Sequence, residues 1–267
     1  MKPRLGRWRG QWALVTGASS GIGQAIAERL AAGGVNLILL ARRESRLAEI
    51  STRLHRAHGV EVKTLPVDLE HAGAPRRIFE FVRSSGVTVE LLVNNAGFGD
   101  YGEFRELELD RQLAMVQVNC AAVVGLTRLF LPPMIARHRG DILIVASTAS
   151  FQAVPYQTTY AATKAFDLIF AEGLAEEVKQ FGVGVCALCP GQTRTEFQKI
   201  VHEPIPGAMS THTAAEVARI GLDALEQGKH SVICGVSNAL GMEFQRILPR
   251  RMVTAISERL FRPKSKA

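Results

Sequence analysis

No apolar run in this chain reaches the ~18 residues that a membrane-spanning helix needs. The basic opening, Met1-Lys-Pro-Arg-Leu-Gly-Arg-Trp-Arg-Gly10, leads only into Trp12-Ala-Leu-Val15, too short for the core of a signal peptide. Internal repeats, low-complexity tracts and Pro/Gly-rich linkers are also missing, so one folded domain is expected. Cysteine is scarce: Cys120, Cys186, Cys189 and Cys234 are all there is. Cys186-x-x-Cys189 lies inside Val183-Gly-Val-Cys-Ala-Leu-Cys-Pro190, which reads as a buried strand. No second CxxC or CxxH completes a metal site, so reduced, buried thiols are expected and no metal. Together these absences point to a cytoplasmic protein.

Positive charge is present, but not where a nucleic-acid binder needs it. The net charge is +7, yet residues 1–12 carry +4 and residues 246–267 carry +6, leaving −3 on the body between them. Without a basic face on the body, no nucleic-acid partner is expected. Apolar residues make up 47% of the chain, enough for a substantial core.

Short β-rich runs alternate with longer helical patterns, the signature of βαβ units and a parallel sheet. Strands are expected at Trp12–Thr16, Asn36–Ala41, Glu61–Val67, Leu91–Asn94, Asp141–Ala146, Val183–Leu188 and Ser231–Ile233. Helices are expected over 21–33, 43–57, 73–85, 108–138, 156–181 and 214–227. Most strands are continuous apolar runs, as when helices cover both faces. The expected fold class is α/β: one doubly wound (Rossmann) domain with a parallel seven-stranded sheet. Residues 1–11 read as a basic tail, 12–237 as the domain, and 238–267 as a C-terminal extension.

The first strand runs directly into Thr16-Gly-Ala-Ser-Ser-Gly-Ile-Gly23 and a helix. Gly17, Gly21 and Gly23 allow a tight turn, and the helix N-terminus offers N–H groups to a phosphate. Ser19, Ser20 and Ile22 belong to the same turn. The second strand ends Leu40-Ala41-Arg42-Arg43, with no acid to meet a ribose 2′-hydroxyl. Arg42 and Arg43 suit a 2′-phosphate, so NADP(H) is expected rather than NAD; two solvated arginines opening a helix are the alternative. Asp68-Leu69 follows the third strand, where a short acid could meet an adenine amino group. Asn94-Asn-Ala-Gly97 follows the fourth; Ala96 and Gly97 let backbone lie against a ribose, and Asn94 could bind or brace. Tyr160-Ala-Ala-Thr-Lys164 puts a phenol and an ammonium on one helix face, where the cation favours the phenolate.

With TGASSGIG at 16–23, NNAG at 94–97, Asn119, Ser147, YAATK at 160–164 and Pro190-Gly191 with Thr193, the chain resembles the classical short-chain dehydrogenase/reductase family. Ala41-Arg42-Arg43 looks like its NADP-preferring branch, and other stretches look like its bacterial ketoacyl- and steroid-reductase-like members. The resemblance implies that Tyr160 gives and takes the proton and that Lys164 lowers its pKa and meets the nicotinamide ribose. It implies that Ser147 hydrogen-bonds the substrate carbonyl, and that Asn119 holds a water linking Lys164 to solvent. Pro190-Gly191 would line the nicotinamide, with Thr193 reaching its carboxamide. A homodimer or homotetramer is implied as well.

In this family residues 192–213 would cover the substrate. Here they contain Phe197, Ile200, Val201, Ile205, Pro206 and Met209, with His202 and His212 read as surface residues. Phe98, Tyr101, Phe151, Val154 and Tyr156 could form the opposite wall. An apolar carbonyl or alcohol is the expected substrate: 3-oxoacyl, steroid-like, or an aromatic ketone or aldehyde. Residues 250–262 form a basic amphipathic helix, with Met252, Val253, Ile256, Leu260 and Phe261 in one stripe. It could touch an anionic membrane, cover the pocket or pack on a partner subunit. An NADP-linked alcohol dehydrogenase remains open, as does a non-catalytic nucleotide sensor, which would more often lack the tyrosine or lysine.

Overall fold

Strand β1 (Trp12–Thr16) is an inner strand of a seven-stranded parallel sheet in the computed structural model, which describes residues 5–196, 211–245 and 247–263. β2 (Asn36–Ala41) and β3 (Val62–Pro66) extend the sheet on one side of it. β4 (Val89–Asn94), β5 (Gly140–Val145) and β6 (Val183–Cys189) extend it on the other. A separate parallel pair is formed by β7 (Thr193–Arg194) and β8 (His212–Thr213), and β9 (Ser231–Ile233) closes the main sheet beside β6. The strand order is β3-β2-β1-β4-β5-β6-β9. The chain reverses its direction of travel between β1 and β4, and a crevice opens there at the carboxyl ends of the strands.

The sheet is apolar on both faces because it divides two cores. In β2, Leu37 and Leu39 enter one core, while Ile38 and Leu40 enter the other, as a period of two requires. Helices α1 (Gly21–Ala32) and α2 (Glu44–His58) cover the first face through Ile26, Leu30, Leu47 and Leu54. α3 (Ala74–Ser84) covers the second through Ile78 and Val82.

The single helix expected over 108–138 is two helices. α4 (Leu109–Val116) and α5 (Ala122–Ala136) are joined by one π-helical turn, Gln117–Ala121, closed by Ala122 N–H donating to the carbonyl of Gln117. Leu126 and Phe130 of α5 fill the second core. α6 (Thr158–Val178) packs beside α4 and the π-turn, and α7 (Ala214–Glu226) returns to the first face. α7 starts at a capping box: Thr213 Oγ1 accepts from Glu216 N–H, and the Glu216 carboxylate accepts from Thr213 N–H.

Two helices follow, α8 (Val236–Gln245) and α9 (Arg250–Phe261). Only α9 was expected, as were neither β7 nor β8. The described part of the N-terminal segment is not a tail. Leu5 and Trp8 are buried, Trp8 Nε1 donates to Asp141 Oδ2 at 2.7 Å, and Arg7 Nη2 donates to Asp141 Oδ1 at 2.5 Å. Burial pushes the Asp141 carboxyl up to about 7, against the opposing pull of Arg7 and Trp8.

Candidate active site

The β1–α1 turn is shaped by bare backbone. Gly17 has φ +65°, and a Cβ there would stand 2.8 Å from Asn95 Nδ2 and 3.0 Å from Ala96 Cα. Gly21 has φ +57°, again a conformation that glycine adopts without steric cost. The Ser20 side chain makes no cap hydrogen bond, so the first N–H groups of α1 stay available to an anion. Thr16 Oγ1 accepts from Asn95 N–H and Ala96 N–H, each at 2.9 Å, and donates to Val93 O at 3.2 Å. Asn95 Nδ2 donates to Thr16 O at 2.8 Å. The glycine turn is thus stitched to the loop after β4. Of the two roles open to Asn94, the bond it makes is the bracing one: it donates to Thr127 Oγ1 in α5 at 3.1 Å and is buried. The neighbour Asn95 faces the crevice, which only the pairing of the two loops reveals.

The two arginines diverge. Arg43 Nε and Nη2 donate to Ser19 Oγ at 3.2 and 3.0 Å, which holds its guanidinium over the glycine turn. Its Nη1 reaches Glu196 at 3.0 Å, and Arg46 binds the same carboxylate at 2.8 Å. Arg42, more exposed, donates to Glu70 at 3.0 Å. Asp68 Oδ1 accepts from Glu70 N–H at 3.0 Å, so Asp68 shapes its own turn.

At the other end of the crevice, Asn119 sits in the π-turn and is completely buried. Its Nδ2 donates to Phe98 O at 2.9 Å and to Thr163 Oγ1 at 3.0 Å, and its Oδ1 accepts from Phe98 N–H at 3.1 Å. Thr163 Oγ1 donates to Tyr160 O at 2.8 Å, which ties the turn to α6. Ser147 caps the short 3₁₀ turn Thr148–Phe151, its Oγ accepting from Ala149 N–H at 3.1 Å. Ser150 Oγ accepts from Ser147 N–H and donates to Lys164 O at 2.7 Å, joining the serine to the lysine's helix. Lys164 Nζ donates to Val145 O at 2.8 Å and to Asp167 Oδ2 at 3.0 Å. Burial alone would lower the Lys164 ammonium; Asp167 and the Tyr160 phenol outweigh it and hold it above its ordinary range.

One cavity of about 830 Å³ connects these ends. Gly17, Ser19, Ser20, Gly21 and Ile22 line its first part, with Arg42, Arg43, Asp68, Leu69, Ala96 and Gly97. Ser147, Tyr160, Lys164, Pro190, Gly191 and Thr193 line its centre, and Phe98 stands beside them. Gly23 and Asn119 support the site from behind: a Cβ at Gly23 would collide with the Gly17 carbonyl and the Asn95 amide.

The substrate end differs from expectation. Phe197 and residues 198–210 lie outside the described residues. Phe151 packs against the second core, and Tyr156 turns its hydroxyl to Glu258 at 2.8 Å; neither lines the cavity. Val154 lines the cavity as expected, and Met242 of α8, Leu248, and Val253, Ile256 and Leu260 of α9 complete the apolar wall, so α9 covers the pocket, one of the three roles open to it. α9 is also held by Tyr101, whose hydroxyl donates to Phe261 O at 2.6 Å. Gln157, nine-tenths buried and with no partner for its Nε2 among the described residues, faces the cavity too and was not anticipated. Among the described residues no His, Cys, Asp and Glu gather as a metal site.

A doubly wound parallel sheet with a glycine turn at its first crossover, and a phenol and ammonium across the same crevice, define a dinucleotide-binding oxidoreductase. The family model for short chain dehydrogenases matches residues 11–205, and the chain belongs to that family. It is 34% identical over 248 residues to the very-long-chain 3-oxoacyl-CoA reductase of Bos taurus, covering 88% of this chain and 77% of that one. It is 33% identical over 218 residues to an uncharacterised oxidoreductase of Staphylococcus saprophyticus, covering 82% and 92%. Among solved structures, a short-chain dehydrogenase from Sphingobium yanoikuyae in complex with NADPH superposes with TM-score 0.80 at 28% identity, over 89% of this chain and 94% of that one. A 7β-hydroxysteroid dehydrogenase superposes with TM-score 0.84 at 25% identity, over 96% and 99%.

Proposed function

We propose that this chain is an NADP(H)-dependent reductase of apolar carbonyl compounds, with Asn119, Ser147, Tyr160 and Lys164 as its catalytic set. One observation carries the reading: a single cavity joins the bare glycine turn, the Tyr160–Lys164 pair and an apolar wall. Gly17 to Gly23 and the open N-terminus of α1 fit a pyrophosphate, and Arg43 over Ser19 fits a 2′-phosphate. Ala96 and Gly97 fit a ribose, and Pro190, Gly191 and Thr193 fit the nicotinamide. When bound, the nicotinamide supplies or accepts the hydride.

The chain supplies the rest. Ser147 and Tyr160 hydrogen-bond the substrate oxygen and stabilise the charge that develops on it. Tyr160 delivers its proton to that oxygen in reduction and removes it in oxidation. The Lys164 ammonium makes the phenolate left behind less costly. Asn119, fixed by its bonds to Phe98 and Thr163, is assigned the water that links Lys164 to solvent, by which the proton is replaced. The alcohol-oxidising direction uses the same groups; a sensor without turnover is disfavoured because both Tyr160 and Lys164 are kept.

The wall from α8 and α9 suits a 3-oxoacyl thioester or a steroid-like ketone, and relatives with those names support that class. We assign the chain to the cytoplasm, as a homodimer or homotetramer. Leu109, Leu113 and Val116 of α4, Val124 of α5 and Ile169 of α6 form an exposed apolar surface suited to a second copy. Met252, Ile256 and Leu260 of α9 remain about half exposed beside Arg250, Arg251 and Arg259, which suits peripheral contact with an anionic membrane.

The test is NADPH oxidation by the purified chain with 3-oxoacyl-CoA substrates of increasing length and an aromatic ketone. Tyr160→Phe should lower kcat by roughly 10²–10⁴. Full turnover by that variant overturns the assignment.

A further inference from the structure

We propose that Asp167 is a positioning residue for the reaction: its buried carboxylate holds Lys164 as an ammonium ion beside Tyr160 and fixes which N–H is left for catalysis. This rests on the reading of Tyr160 and Lys164 as the catalytic pair. Asp167 follows Lys164 by one helical turn and is only 1% exposed. Of the three N–H bonds of the Lys164 ammonium, one goes to Val145 O at 2.8 Å and one to Asp167 Oδ2 at 3.0 Å. A single N–H therefore remains to face the cavity that Lys164 lines.

Stability does not explain the aspartate. Its Oδ1 is buried and accepts no hydrogen bond among the described residues. Its neighbours on the buried side of α6 include Leu168 and Ala171, so an apolar side chain would suit the core there. A well-packed apolar replacement of a buried ion pair is often neutral or stabilising. What the carboxylate does provide is a charge at one point: burial pushes its pKa up, and the Lys164 ammonium that it binds opposes that rise.

No other described ion competes for that role. The π-turn contributes Cys120, whose thiol burial, with Asp167, pushes up to about 11. β6 contributes Cys189, also raised by burial, and β5 contributes the Val145 carbonyl alone. Both thiols are neutral at working pH. Tyr160 is the remaining titratable group, on α6 itself. Without Asp167, burial favours a neutral amine at position 164, and a neutral amine does nothing for a phenolate.

The chain has only three tyrosines, Tyr101, Tyr156 and Tyr160, so tyrosine labelled with ¹³C at Cζ alone gives three signals in the full chain. Tyr160→Phe identifies the one that matters. Asp167→Asn should raise the ionisation midpoint of Tyr160 by about one unit and cut kcat ~10-fold, with KM for a 3-oxoacyl-CoA within about two-fold. Asp167→Glu, which keeps the charge, should restore most of both. A midpoint that stays in place or falls in Asp167→Asn overturns the proposal. Should that variant not fold, Asp167→Val carries the same test with no amide to satisfy. An inactive Tyr160→Phe with an unmoved midpoint in Asp167→Asn removes this proposal alone. A fully active Tyr160→Phe removes the catalytic reading beneath it, whatever the midpoint does.

Discussion

Arg42 and Arg43 are adjacent in the chain and separate in their contacts. Arg43 lies on Ser19 of the glycine turn, whereas Arg42 lies on Glu70. If a 2′-phosphate binds here, Arg43 has the shorter path to it. Arg43→Ala should reduce the NADPH-over-NADH ratio of kcat/KM by ~10–100-fold, and Arg42→Ala by less, in steady-state assays with both nucleotides. Gly97 is a second sensitive point. A Cβ there would stand 3.0 Å from Asn119 Oδ1 and 3.3 Å from Lys164 Nζ. Gly97→Ala should therefore lower kcat ~10-fold while circular dichroism stays that of the wild type. Much of this was legible in residues: the Tyr160–Lys164 spacing and the glycine turn stand in the sequence, and both line the cavity. Asn95 was not, because it matters only through Thr16, which folding brings to it; Asp167 and Gln157 were not, because only the fold shows that each is buried at the site.

At the scale of elements, α9 resolves an ambiguity in its own sequence. Its apolar stripe predicts a helix with something to cover, and it covers the cavity while leaving part of the stripe exposed. Tyr101 and Tyr156 latch it through Phe261 O and Glu258. Removing the latch with Glu258→Ala should raise KM for a long 3-oxoacyl-CoA several-fold and leave kcat with a small aromatic ketone nearly unchanged. Steady-state kinetics with both compounds checks this. α8 escaped the sequence because Val236, Leu240 and Phe244 face solvent and blur the helical pattern. The π-turn escaped because one extra residue in a helix changes no composition.

The whole molecule was the easiest level to anticipate. Continuous apolar strands alternating with amphipathic helices leave few options besides a doubly wound sheet. Residues 1–11 read as a basic tail in the sequence, because nothing local shows the buried Asp141 that Arg7 and Trp8 bind in the fold. Asp141 is raised from 3.8 to about 7, first by burial, so the folded chain keeps a proton that the unfolded chain releases within that window. Its contribution to stability is present at low pH and is lost as pH rises to about 7. Asp141→Asn should therefore compare more favourably with wild type at about pH 7.5 than at about pH 4.5, by melting temperature. Assembly is a separate test at this scale. Leu113→Glu with Ile169→Glu should shift the light-scattering mass toward one chain, because charge on that surface opposes pairing.

The π-turn at Gln117–Ala121 has one more consequence. A helix with one residue too many carries a mismatch that a single deletion would repair. The repaired helix would have better hydrogen bonds, yet everything after the deletion would swing round by ~100°, taking Asn119 away from Phe98 and Thr163. In this segment the irregular chain is the working one, so selection for helix regularity and selection for turnover pull in opposite directions.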